Sequence, residues 1–457
     1  MKHLDRSRWK RRWHCNRAAF YEYDYGGWGL RPKAQSIPLA TGNGVHGPLA
    51  EMLGLMQQQS GPLPRPTLAE VREIIAKTLT AYKRDCAATG FMEEDTEGQT
   101  AYVIAEQAHL IECLIWAVYR CFLPWLHENF EILQVEHERD YVIGCTCGLG
   151  DGIGLPADHE ARVGGNLSGS PSVPEEIPCQ GTDLMLRPDF VTRRRHDGSV
   201  GIWDWKTGAY DLRQDDHEHS VQLGMGSLGV EAELGEPVSY YYLAGMKKGK
   251  REASKAEGAS PLKLQQTVFC YDYCLPANPP FTRETQWNFG YTTRKGYGKV
   301  PVWQAHFPAK PVSVGQPGDQ GVSTAEWWVM HVLPEEVVQK QLSIVGPCEL
   351  PRELLKKLPA ALAQQEREWQ QRLQWLEPTD AEPFPADIDL IIPQSWNCKQ
   401  YFGRSCEFMP ICYKEPGHEN PGGMAQYITR RPHHQAELEA AVAAGVKWEG
   451  VEEAPEE

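Results

Sequence analysis

Two aspartates and a lysine stand close together between residues 183 and 208, as Pro188-Asp189 and then Asp204-Trp205-Lys206-Thr207-Gly208. The stretch reads as two β-rich runs, DLMLRPDFVTRRRH and SVGIWDWKTG, joined by the turn dipeptide Asp197-Gly198, so a hairpin with a two-residue turn is expected. That register sets Asp189 opposite Lys206 and Val191 opposite Asp204. Alternate residues of a strand share a face, so Asp189, Asp204 and Lys206 gather on one side and Trp203 and Trp205 on the other. Two carboxylates are hard oxygen ligands for Mg2+ or Mn2+, and an ammonium beside them orients or helps deprotonate an attacking water. This is equipment for phosphodiester hydrolysis. Asp183 would pair beyond Gly208, past the strand end, which makes Asp189 the first choice and Asp183 the reserve. The same charges also read as an ordinary cross-strand ladder on a half-exposed sheet.

A second group is made of thiols. The segment WNCKQYFGRSCEFMPIC places Cys398, Cys406 and Cys412 with seven and five residues between them, and the fourth candidate is Cys15, in RWHCNRAAFYEY. Four thiolates bind zinc or a [4Fe-4S] cluster, and neither count nor spacing chooses between them. Cys145 with Cys147 and Cys270 with Cys274 are competing pairs, while Cys86, Cys113, Cys121, Cys179 and Cys348 read as small buried hydrophobes.

The elements that must position these groups follow from periodicity. His46, Leu49, Ala50, Leu53 and Met56 recur on one face of a helix over 42–57, and Pro48 places its start close to His46. Thr67 and Glu70 stand at capping-box spacing before a second helix. A third, over about 101–126, is long and largely buried. Residues 130–143 alternate like a strand, and 148–178 are a Gly/Pro-rich loop. After the hairpin come a helix over about 216–234, a strand over 238–244, short strands among loops over 245–320, and a helical region over 334–376 with a heavily charged face.

The chain has 457 residues, enough for up to about three domains or for one core with large insertions. Its net charge of -15 argues at first sight against a polyanionic partner. The charge is uneven, however: residues 1–17 sum to +6 and the remainder to -21. Arg11 and Arg12 in that basic arm, and Arg193, Arg194 and Arg195 near the hairpin tip, are candidate phosphate contacts. The longest apolar run, around Cys113 to Tyr119, is bounded by Glu112 and Arg120, so no membrane span is expected. The thirteen cysteines are odd in number and scattered, and the N-terminus lacks an apolar leader; both point to a reducing, cytoplasmic setting. There is no phosphate-binding Walker sequence, so any helicase action must come from a separate partner.

Pro188-Asp189 followed by Asp204-Trp205-Lys206-Thr207-Gly208 resembles the PD-(D/E)XK nuclease superfamily, and the ending Asp-Trp-Lys-Thr-Gly resembles its RecB-like branch. Gly42-Asn43-Gly44-Val45-His46 is similar to the Gly-x-x-x-His helix of that branch, and Gln222 matches its glutamine after the lysine strand. Gly226 stands where relatives carry tyrosine, a role Tyr240 to Tyr242 are candidates to fill. The resemblance implies a restriction-endonuclease-like α/β core, a central mixed sheet flanked by helices with helical and loop insertions. It implies metal ligation by His46, Asp189, Asp204 and the Trp205 carbonyl, water positioning by Lys206, and substrate or lysine support by Gln222. Iron-sulfur members, including CRISPR-associated exonucleases and phage-type relatives, clamp one N-terminal cysteine to three near the C-terminus. This likeness implies a [4Fe-4S] cluster on Cys15, Cys398, Cys406 and Cys412, although relatives often have a shorter gap between the first two C-terminal cysteines.

The expected parts are an N-terminal basic arm and His helix (1–57), a helical insertion (58–127), the catalytic core (128–244), a strand, loop and helical extension (245–390), the cysteine segment (391–415) and an acidic tail (416–457). The implied activity is metal-dependent exonucleolytic cleavage of single-stranded or end-containing DNA in recombination, repair or phage DNA processing, beside a separate helicase or a recombinase or annealing protein. A structure-specific endonuclease, or a non-catalytic iron-sulfur DNA-binding or scaffold protein, are the alternatives.

Overall fold

Five strands, β1 (Phe130–Val135), β2 (Phe190–Arg194), β3 (Val200–Gly208), β4 (Val238–Lys247) and β5 (Leu342–Glu349), form a mixed sheet in the order β5-β4-β3-β2-β1. The helices that matter to it are α1 (Arg6–His14), α2 (Ile37–Gln58), α3 (Leu68–Thr89), α4 (Gln99–Ala117), α5 (Val221–Leu234), α6 (Leu358–Gln374) and α7 (Gln435–Ala443). The structure, a computed structural model, describes residues 5–34, 36–58, 65–91, 99–143, 155–156, 182–212, 221–252, 263–265, 269, 286–294, 298–306, 322–350, 352–355, 357–374, 399–400, 404–432 and 435–446. The expected α/β class, a central mixed sheet flanked by helices, is what forms.

Neighbouring strands are antiparallel except β3 and β4, which run parallel. A parallel pair cannot be closed by a tight turn, and α5 lies in the crossover. The period-two alternation of β3 gives the sheet two unlike faces. One carries Phe190, Trp203, Trp205, Tyr240 and Tyr242 into a core shared with α2, α3 and α4. The other carries Val191, Val200, Ile202 and Leu243 against Leu223 and Val230 of α5. Trp203 lies stacked between Tyr242 (centroids 4.2 Å apart) and Phe190 (5.0 Å), and its indole N–H donates to Thr192 Oγ1 at 2.8 Å. Emptying so tightly filled a position costs about 3–5 kcal/mol. The aromatic face therefore fixes β3, and with it whatever β3 presents on the opposite face.

Several expectations need correction. Residues 58–127, expected as a helical insertion, contribute α3 and α4, which share one core with the sheet. β5 lies inside the region expected to be helical: Ile344 and Val345 favour a strand, Gly346-Pro347 cannot continue a helix, and pairing with β4 settles the choice. α2 begins at Ile37, with Pro48 inside it rather than in its first turn. Burial of Ile37, Ala40, Val45, Leu49 and Met52 along one side outweighs the roughly 3 kcal/mol an interior proline costs.

The strand expected over 130–143 breaks at Glu136, where φ is +41°; Arg139–Ile143 then pairs with Thr182–Leu186 in a separate small sheet. The basic arm is the folded helix α1, N-capped by Asp5, which accepts from Arg8 N at 2.8 Å. The acidic tail is folded in part: Tyr427–Thr429 pairs with Leu30–Pro32, and Glu437 of α7 holds Arg8. The helical stretch Val103–Asn129 is long and apolar enough to cross a membrane by composition, but 67% of its most apolar 18-residue window is buried within the protein. The expected start of α5 near Asp216 and the loop at 148–178, apart from 155–156, lie outside the described residues.

Candidate active site

The hairpin turns through four residues, 195–198, rather than two. Arg194 N donates to Ser199 O (2.8 Å), and Gly198 N to Arg194 O (2.9 Å). Gly198 takes φ +72°, a conformation that favours glycine, and Asp197 accepts from Ser199 N at 3.0 Å to close the loop. The longer loop slides the register by two: Phe190 pairs with Trp203 and Val191 with Ile202. Asp189 thus comes level with Asp204, not with Lys206. A slip of two leaves every side chain on its expected face, because the strand period is also two. Asp189 Oδ2 accepts from Trp205 N, while Asp204 Oδ2 forms an ion pair with Lys206 Nζ, whose ammonium also reaches the Trp205 carbonyl at 3.3 Å.

Asp189 and Asp204 border a cavity of about 580 Å³ that is also lined by His46 and Asn43 of α2, Gln222 of α5 and Asp5 and Trp9 at the start of α1, and Lys206 joins it through its ion pair with Asp204. Asp204 is only 3% exposed. Burial, and then the neighbouring Asp204 carboxylate, push the Asp189 carboxyl above its usual range, against the pull of the Trp205 N–H and Lys206. Burial lowers the His46 imidazole to about 4, with Lys206 and Lys248 pushing the same way and Asp204 opposing. The ring is therefore neutral at neutral pH, the form that binds metal. Gln222 Oε1 is buried and has no hydrogen-bond partner among the described residues.

Two mutually repelling carboxylates, a backbone carbonyl and a neutral imidazole make a hard donor set, and a divalent cation would relieve the repulsion that raises Asp189. The set fits Mg2+ or Mn2+ by its chemistry. Among the described residues, no three His, Cys, Asp or Glu side chains are gathered as a metal-binding group, and Lys206 occupies Asp204 in the arrangement seen.

Most of the expected site residues thus meet in one place, and others do not. Asp183 has its backbone in the small sheet opposite Val142, and its side chain lies outside the described residues. Gly226 borders the same cavity where α5 presses on the sheet, and a Cβ there would stand 2.7 Å from Ile202 Cδ1, so a side chain at this position must push that methyl aside. Tyr240, Tyr241 and Tyr242 do not replace it; all three are buried in the sheet's two cores.

The arginines expected to hold phosphate are engaged within the protein. Arg11 pairs with Glu22 and Glu407, Arg12 with Glu366, Arg193 with Glu236, and Arg194 with Asp197 and Tyr242; Arg195 Nε donates to the His127 carbonyl. The trio 193–195 also stands at the far end of the hairpin, about 17 Å from Asp189 at the usual rise per strand residue. Residues 5, 9 and 43 carried no signal when read as sequence, apart from Asn43 lying one helical turn before His46.

Cys15, Cys406 and Cys412 are partly buried against a single aromatic cluster that includes Tyr21, Phe408 and Tyr427. Burial, Glu407 and Cys412 push the Cys406 thiol up to about 12. Cys398 lies outside the described residues, as do Cys145, Cys147, Cys270 and Cys274.

A family model described as the PD-(D/E)XK nuclease superfamily matches residues 7–413. No curated protein matches the chain.

Proposed function

This chain belongs to the PD-(D/E)XK nuclease superfamily, whose members are metal-dependent nucleases, and on that premise we propose that it is a RecB-like deoxyribonuclease acting exonucleolytically on single-stranded or end-containing DNA. The observation that carries the reading is that Asp189 and Asp204 of one hairpin, the latter ion-paired to Lys206, border a single cavity with His46 and Gln222. Asp189, Asp204, the Trp205 carbonyl and His46 would hold Mg2+ or Mn2+. When bound, such an ion supplies charge stabilisation at the phosphate oxygens and a more acidic water.

The protein's own groups do the rest. Lys206 Nζ, tied to Asp204 and to the Trp205 carbonyl, would orient the water that attacks phosphorus in line with the leaving oxygen. The unpartnered Oε1 of Gln222 belongs to a residue that lines the same cavity, and it would contact the substrate. His46, neutral at the pH of the reaction, keeps its ring lone pair available.

Cys15, Cys406 and Cys412, with Cys398, are proposed to carry a [4Fe-4S] cluster that ties the N-terminal helix to the C-terminal segment. Three of these thiols already converge on one apolar cluster, and metal would supply the stabilisation that the buried Cys406 thiolate lacks. The setting proposed is recombination, repair or phage DNA processing in a reducing cytoplasm, with a separate helicase or annealing partner.

The test is digestion of linear single-stranded DNA by the full chain in Mg2+ or Mn2+. Activity should vanish in Lys206→Ala with the circular-dichroism spectrum unchanged. Cleavage of end-blocked circles would redirect the assignment to an endonuclease, and an inert wild type would end it. Anaerobically purified protein should be brown with about four irons per chain; a colourless zinc protein would remove the cluster.

A further inference from the structure

Ser7 and Trp9 of α1, with its N-cap Asp5, border the catalytic cavity. Trp9 and Trp13 are one helical turn apart, on the same side of the helix, with ring centroids 5.7 Å apart and planes tilted by 30°. Trp9 lines the cavity that holds Asp189 and Asp204, and its indole N–H is anchored on Gln365 Oε1 of α6 at 2.7 Å. Trp9 and Leu362 also line a second groove, of about 230 Å³, which continues outward between α1 and α6 past Trp13 to Arg372. Trp13 is 64% exposed. Arg12 lines that groove, stacked 4.9 Å over Trp369 and paired with Glu366; Glu368 and Arg372 are the other charged residues of its lining, so acids and cations are equal in number there. The helix itself, RSRWKRRWH, holds no acidic residue.

An anchored indole at the cavity, followed by a wet indole one turn further out, is an arrangement suited to successive planar, partly apolar rings. Unpaired nucleobases are such rings, whereas a duplex keeps its base faces stacked on one another. We infer that Trp9 and Trp13 form a stacking track that receives the unpaired bases of a single strand whose phosphate lies in the catalytic cavity. The occupant is single-stranded nucleic acid, read by base faces without sequence preference. This rests on the nuclease reading above and adds to it two contact residues and a way of holding the strand.

The experiment uses the full chain in EDTA, so that nothing is cut, and measures fluorescence anisotropy of an oligothymidylate and of an abasic oligomer of equal length and charge. Wild type should bind the oligothymidylate about tenfold or more tightly than the abasic strand. Trp13→Ala should lose about five- to tenfold on the oligothymidylate with little change on the abasic strand, and Trp13→Phe should recover most of the loss. Equal binding of both strands by wild type, no binding of either, or a Trp13→Ala loss shared by both would overturn the track. Cleavage of the same oligothymidylate in Mn2+, scored separately, tests the nuclease reading, so the two can fail independently.

Discussion

Glu437→Ala is expected to be among the most damaging substitutions far from the hairpin. Arg8 and Glu437 meet through two hydrogen bonds of 2.7 Å, with side chains 3% and 5% exposed, and they join helices at opposite ends of the chain. Removing one member of such a pair strands a desolvated charge and costs about 3–5 kcal/mol. Asp5 lies 4.0 Å from Arg8 Nε and would partly compensate, which places the expected loss near the lower end, about 3 kcal/mol. Against a typical total of about 5–15 kcal/mol this is large. The ion pair is nonetheless not expected to surpass an apolar substitute. Arg8→Met combined with Glu437→Leu should return to within about 1 kcal/mol of wild type, since the desolvation of both charges disappears together.

Urea unfolding followed by circular dichroism and tryptophan fluorescence measures both variants. If the terminal helices open before the sheet, the fluorescence and dichroism transitions of Glu437→Ala will separate. A single variant within 1 kcal/mol of wild type would refute the reasoning. So would a double variant as unstable as the single one. Because α1 carries Asp5 and Trp9 into the cavity, catalysis by Glu437→Ala should fail at lower urea than its sheet does.

Asp189→Asn should abolish cleavage yet raise stability without metal: the folded carboxyl titrates above its unfolded value, so wild type loses stability as pH rises through that interval and the amide does not. Unfolding of both forms in EDTA from pH 4 to 8 checks this; parallel profiles would contradict it. Lys248, which donates to the Pro38 carbonyl at 2.7 Å, is lowered by burial to about 8, so wild-type stability should rise between pH 8 and 10.5, and Lys248→Met should flatten that rise. Gly226→Ala should destabilise by about 1–3 kcal/mol through overpacking against Ile202, measured by thermal unfolding, and an unchanged midpoint would show that α5 is not seated tightly on the sheet.

Much of the site was legible because strand chemistry has a short period. Asp189, Asp204 and Lys206 share a face whether the turn holds two residues or four, so the face survived a mistaken register while the partner of Asp189 did not. His46 and Gln222 were legible through a motif and not through local physics; a histidine on an apolar helix face reads as core until the sheet beside it is known. β5 was missed because charged neighbours on both sides resemble a helical surface, although Ile344, Val345 and Gly346-Pro347 pointed the other way.

What the residues alone determined, then, is the chemistry on offer and its side of the sheet: two acids and an ammonium alternating with tryptophans, and thiols near both ends of the chain. Tertiary structure decided who meets whom. Loop length set Asp189 against Asp204, pairing of distant segments such as Tyr427–Thr429 and Leu30–Pro32 accompanies the packing of Cys15, Cys406 and Cys412 on one apolar cluster, and the buried pair Arg8–Glu437 fixes α1, whose Trp9 lines the cavity. Apart from the hairpin, these are contacts between residues hundreds of positions apart. No local period encodes them, because their free energy is realised only when the whole core is assembled.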